Sequence, residues 1–75
     1  RRKKERKEKI DRFIKRQFDP DTAIFIRTVI KMVEDEEICD FSCKLPDERV
    51  AKIWLDSKLY LHIQVKKNLD DELTV

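Results

Sequence analysis

Glycine does not occur in this 75-residue chain, histidine occurs once, and cysteine and proline occur twice each. Without glycine there is no Gly-rich phosphate loop and no collagen-like or Gly/Ser-linker segment. Two-residue hairpin turns rely on positive φ, which glycine supplies most cheaply, so slightly longer loops built on Asp, Ser or Asn are favoured. No apolar run approaches the roughly 18 residues that would cross a bilayer as a helix. A single histidine leaves no His-Glu-x-x-His pattern, and the chain has no nucleophile elbow. The carboxylate pairs Glu36-Glu37 and Asp70-Asp71 are adjacent in sequence, so on any regular element they face different ways and no shared pocket tunes them. These absences argue against an enzyme and against a bound cofactor.

Two cysteines are too few for the disulfide framework that small secreted domains use. On one strand, Cys39 and Cys43 would have alpha carbons roughly 13 Å apart, far beyond disulfide reach. A zinc site could in principle draw on Cys39, Asp40, Cys43 and His62, but structural zinc sites usually carry a second close pair of ligands, which is missing here. The cysteines therefore read as small hydrophobes of a core, and a reducing intracellular compartment, nucleus or cytoplasm, is the expected setting. The chain begins with Arg1 and is read as an excerpt of a longer protein.

What is present is charge, and it is unevenly placed. The formal net charge is only +2. Yet residues Arg1 to Lys9 hold seven basic and two acidic side chains, and the remaining 66 residues hold 11 basic and 14 acidic ones. The leading segment thus carries +5 and the rest −3. Arg1, Arg2, Lys3, Lys4, Arg6, Lys7 and Lys9 are the candidate contacts to an acidic partner or to phosphates. Aromatic residues are absent before Phe13, and Asn and Gln before Gln17. Reading of a defined nucleic-acid sequence, which needs groove contacts or stacking, is therefore not expected; at most the segment makes salt-sensitive backbone contacts.

The apolar pattern sets the fold class. Ile10, Phe13, Ile14 and Phe18 share one helical stripe, so residues 1–18 read as a basic amphipathic helix or arm. With no apolar face in its leading half, that helix is expected to project from the body or to lie across a partner. It should stop at Phe18 or Asp19, with Asp19 capping a second helix that has Pro20 at its first position. Residues 22–37 fit a helix through Ala23, Ile26, Val29, Ile30 and Val33, although six β-branched residues between Thr22 and Ile30 would also suit a strand. Acidic residues at 34–37 sit badly at a helix C-terminus. Helix is the reading adopted.

From Ile38 the period changes to two. Cys39, Phe41, Cys43 and Leu45 alternate with polar residues, Pro46-Asp47-Glu48 marks a turn, and Val50 to Leu55 forms a second strand. Asp56-Ser57-Lys58 is a short connection. Leu59, Leu61, Ile63 and Val65 then alternate strictly with Tyr60, His62, Gln64 and Lys66. The expected architecture is α+β: the basic helix of residues 1–18, then a small domain over residues 19–67 made of a second helix and a three-stranded antiparallel meander, with residues 68–75 an acidic tail. A mostly helical fold is the alternative, since glycine-free turns leave residues 47–67 open to helix.

Trp54 and Tyr60 fall on the sheet face opposite Ile53 and Leu55, and with Phe13 and Phe18 they are the candidate partner interface. The narrow seam of the first helix and the two-sided sheet present more apolar surface than so short a chain is expected to shelter alone. The functional expectation is a non-catalytic protein–protein interaction or assembly module whose partner is another protein or the rest of its own chain. The alternative is a nucleic-acid-associated nuclear or ribonucleoprotein component acting through its basic segment.

Overall fold

A computed structural model describes residues 2–68 and 71–74. Helix α1 (Arg2–Gln17) and helix α2 (Pro20–Glu36) precede four strands: β1 (Phe41–Lys44), β2 (Val50–Leu55), β3 (Leu61–Asn68) and β4 (Asp71–Thr74). The strands form one antiparallel sheet in the order β1-β2-β3-β4. The fold is α+β, and its meander has four strands where the sequence pattern indicated three.

Local chemistry sets the helix break. Asp19 is extended (φ −68°, ψ 164°) and its carboxylate accepts from the Thr22 backbone N–H at 3.3 Å. The Thr22 hydroxyl donates to the same carboxylate at 2.6 Å. That hydroxyl bond, then the backbone one, hold the Asp19 carboxyl below its ordinary range. Pro20 follows at the first turn, where its missing N–H is no loss. These start signals outweigh the β-branched content of residues 22–30, and the segment is helical. Glu37 ends α2 in the left-handed region (φ 51°, ψ 47°), its N–H reaching Glu34 and Val33 carbonyls.

Both helices lie on one face of the sheet, α2 over β2 and α1 over β3. Ile10 and Ile14 of α1, Ile26 and Val33 of α2, and Ala51, Ile53, Ile63 and Val65 of the sheet meet in the middle. Among the described residues, fifteen apolar side chains are buried in this one core, while Ile24, Phe25, Val50 and Leu59 are the exposed large ones. The chain's own two helices thus shelter most of what its pattern marks as apolar. The expected excess reduces to a few side chains because the seam of α1 and Phe18 just beyond it close onto the sheet.

Residues 68–75 do not end as a tail throughout. Leu73 pairs with Val65 and packs against the core, while Glu72 pairs across from Lys66. Its carboxylate takes a bond from Gln64 at 2.6 Å and lies 3.3 Å from the Lys66 ammonium. Those cross-strand contacts offset the acidity that makes this segment read as non-strand. With one inward residue, β4 is too short for period-two alternation to reveal it. Residues 69, 70 and 75 lie outside the described residues.

Among the described residues, three non-glycine residues take positive φ: Glu37, Glu48 (φ 77°) and Leu59 (φ 66°). The β1–β2 and β2–β3 connections run over residues 45–49 and 56–60, longer than two residues, as the lack of glycine favours. Leu59 is also why β3 starts at Leu61 rather than at Leu59: the left-handed backbone turns its side chain, 43% exposed, out of the core line. A left-handed non-glycine residue costs about 1–2 kcal/mol, part of which glycine returns to unfolded-chain entropy. Leu59→Gly is therefore expected to raise stability by about 1 kcal/mol, read as a higher urea midpoint. A lower midpoint would mean that the Leu59 side chain contributes more than its backbone costs.

Candidate interaction surfaces

Helix α1 sorts its cations by face. On the inward side, Arg6 reaches over the edge of the sheet. Its Nε donates to the Leu61 carbonyl, and its Nη2 lies 3.0 Å from His62 Nδ1. Among the described residues, β4 pairs with β3 from Gln64 onward and none pairs with Leu61 on that side. Lys7 meets Glu34 of α2 at 3.1 Å. Asp11 takes Arg27 of α2 at 3.0 Å and Lys15 at 3.3 Å, and those bonds, Arg27 first, hold its carboxyl below the usual range. The leading half of α1 therefore does not project: without any apolar residue, it is fastened by Arg6 and Lys7. Lys3 lines the same crevice beside Tyr60 and Leu61.

On the outward side, Lys4, Lys9, Arg12 and Arg16 are exposed, and among the described residues no carboxylate lies within ion-pair distance of them. Glu5 and Glu8 share that side, also exposed. Arg2 opens the helix, and Arg1 lies outside the described residues.

Among the described residues, no helix covers the second face of the sheet. There Trp54 stacks on its cross-strand neighbour His62, ring centroids 5.2 Å apart and planes 13° from parallel, with the Lys52 ammonium 5.8 Å from the Trp54 ring. Val50 is half exposed. Each lysine of this face has its acid: Lys44 with Glu48 at 2.8 Å, Lys52 with Asp40 at 3.9 Å, Lys66 with Glu72. The face is aromatic but close to electrically balanced. Tyr60 sits apart from Trp54, in the β2–β3 turn, where its N–H bonds to Asp56 at 3.0 Å.

The four candidate interface aromatics thus divide. Trp54 and Tyr60 are half-buried, and Phe13 packs at the margin of the core. Phe18 is a correction: it is buried in the chain's own core, edge-on to Phe13 at 5.8 Å. Above it lies the Arg49 guanidinium, 4.3 Å from the ring centroid. Arg49 also donates to Asp47 and, at 3.1 Å, to the Gln17 carbonyl at the end of α1. Burial pushes the Asp47 carboxyl up, but the side-chain and backbone bonds from Arg49 together hold it below its ordinary value. No sequence spacing linked Arg49 with Phe18, because the two are joined only by the folding of the hairpin onto the helix.

Cys39 is exposed just before β1, and Cys43 is half-buried on the core side, where burial pushes its thiol up. Among the described residues, no group of three or more His, Cys, Asp or Glu is gathered as for a metal ion. His62, on β3, is engaged by Trp54, Arg6 and Asp56, and β2 lies between it and the strand that carries Cys43. No helix among the described residues is long and apolar enough to cross a membrane.

The class these features define is a small α+β domain with two helices on one face of a four-stranded antiparallel meander. Comparison with protein-family models, with curated proteins and with solved structures finds no match to the chain.

Proposed function

We propose that this chain is a non-catalytic protein–protein interaction module of a larger intracellular assembly, and that it offers the outer face of α1 to an acidic protein surface. The observation that carries this reading is the division of cations on α1. Arg6 and Lys7 are engaged by groups of the chain's own fold, while Lys4, Lys9, Arg12 and Arg16 are exposed with no carboxylate at ion-pair distance among the described residues. Cations without an internal partner can meet an acidic surface without first breaking a contact of the fold, and complementary charge steers and orients the encounter. Glu5 and Glu8 among them, and the exposed Ile24 and Phe25 on α2, suit a mixed protein surface better than a uniform row of phosphates. The free thiols Cys39 and Cys43 are in keeping with a reducing compartment, nucleus or cytoplasm.

A second reading, contact with the backbone of RNA or DNA, draws on the same four cations, which recur every three to five residues along one side. One titration separates the two. The chain is mixed with a labelled poly-glutamate peptide and, separately, with a labelled duplex of mixed sequence, across a salt series. The proposed reading expects tighter binding of the peptide at physiological salt. Exchanging Lys4, Lys9, Arg12 and Arg16 together for Gln is expected to weaken it roughly tenfold, as the sum of four exposed charge contacts. Tighter duplex binding with a steep salt slope would replace it by the nucleic-acid reading. Binding to neither probe sinks both.

A further inference from the structure

We propose that the outer edge of β1 pairs antiparallel with the same edge of a second copy of the chain, joining the two four-stranded sheets about a two-fold axis at Ser42. Among the described residues, β1 ends the sheet and no strand pairs on its far side. One bond fixes which backbone groups face that way. The Leu45 N–H donates to the Arg49 carbonyl at 2.7 Å and continues the register of β1 on β2. Antiparallel ladders alternate, so Phe41 and Cys43 bond inward to β2, while the N–H and C=O of Ser42 and Lys44 point out of the sheet. Such a row is a template for another strand.

The order of charges selects a second copy as that strand. Asp40 stands just before β1 and Lys44 ends it, each two residues from Ser42. With Ser42 opposite the second copy's Ser42, Asp40 of each copy lies opposite Lys44 of the other, and the outward backbone groups meet as reciprocal hydrogen-bonded pairs. Moving the axis to Phe41 or Cys43 loses the charge match, and in-register parallel pairing sets lysine beside lysine. Within the chain Lys44 meets Glu48 and Asp40 meets Lys52, both as exposed pairs on the open face of the sheet. The new contacts therefore uncover no buried charge.

The helix side of β1 has the matching shape. Helix α2 lies over β2 and α1 over β3, so β1 is at the margin of the core, where Phe41 and Cys43 are only half-buried. In the paired sheets, Phe41 of each copy faces Cys43 of the other. Helix α2 turns Arg27 and Glu34 toward α1. Phe25, Val29 and Met32, spaced four and three apart, share the opposite flank, above β1. Phe25 is exposed there and Met32 half-buried. Pairing at β1 sets the two α2 helices three strand spacings apart, roughly 14 Å. That gap takes the large side chains of both flanks. The contact lies on the side of the sheet away from α1, so it does not depend on the acidic-partner reading.

The test is sedimentation equilibrium of the full 75-residue chain in reducing buffer. Over roughly 10 µM to 1 mM, monomer and dimer are expected in exchange, as suits an interface at the small end of the range. Asp40→Lys sets lysine opposite lysine, and Lys44→Asp sets aspartate opposite aspartate. Each variant alone is expected to self-associate roughly tenfold more weakly, because the two-fold axis counts every like-charge pair twice. Mixed together, each variant supplies the charge that the other needs, and a mixed dimer is expected to form as readily as the unmodified one. Circular dichroism checks that both variants stay folded, as changes at exposed positions should leave them. A monomer throughout the range, or variants that associate no better mixed than apart, overturns the proposal.

Discussion

Ile53→Ala is expected to leave the chain largely unfolded at 25 °C. Ile53 is fully buried at the centre of β2, paired with Phe41 on one side and Ile63 on the other, beneath α2. Cutting an isoleucine to alanine at such a site removes about 2–5 kcal/mol, through lost burial and the cavity left behind. A domain of this size draws no more than about 3–5 kcal/mol from its core. The two numbers are nearly equal, and the described residues contain no disulfide that would add to the second. Urea titration followed by circular dichroism reads the outcome. Ile24→Ala is the control: Ile24 is 63% exposed, and its loss is expected to stay within about 0.5 kcal/mol. An Ile53→Ala chain with an unchanged urea midpoint would mean that the single closed core described above does not govern stability.

Arg49→Ala is expected to cost about 2 kcal/mol, more than most surface charges contribute. Three separate contacts meet on this one side chain: the Asp47 carboxylate, the Gln17 carbonyl and the face of Phe18. Together they tie the β1–β2 hairpin to the end of α1. Its pairing is one-fifth exposed on the Arg side and about one-quarter on the Asp side, so solvent screens it less than it does Lys15 with Asp11. Arg49→Lys keeps a cation near the ring but loses the planar fork, and recovers less than half of the effect. Thermal unfolding of the three proteins checks the ranking. Equal midpoints for Arg49→Ala and the unmodified chain would reduce the cluster to an ordinary surface ion pair.

Residues that act within a few positions of themselves were legible in the sequence. Asp19-Pro20 announced the break between helices, and the alternation through Ala51, Ile53 and Leu55 and again Leu61, Ile63 and Val65 announced the central strands and their buried face. Leu59 misled by continuing that alternation backward, since period-two spacing does not report the sign of φ. Strand β4 escaped because one inward leucine in four residues carries no period. Phe18 was legible as apolar but not as covered, because its cover, Arg49, comes from 31 positions away. Arg6 read as one cation among seven; its contact with the Leu61 carbonyl, 55 positions away, separates it from Lys4 and Lys9.

Residue type and local periodicity were enough for the class of the fold, the asymmetry of charge, and the absence of a glycine loop. Tertiary structure alone decided which cations remain free, which aromatic rings stay accessible, and that the single histidine lies between an acid and an arginine. Those are properties of distance between segments far apart in the chain, and the contacts of His62 exist only once α1, β3 and the β2–β3 turn have come together.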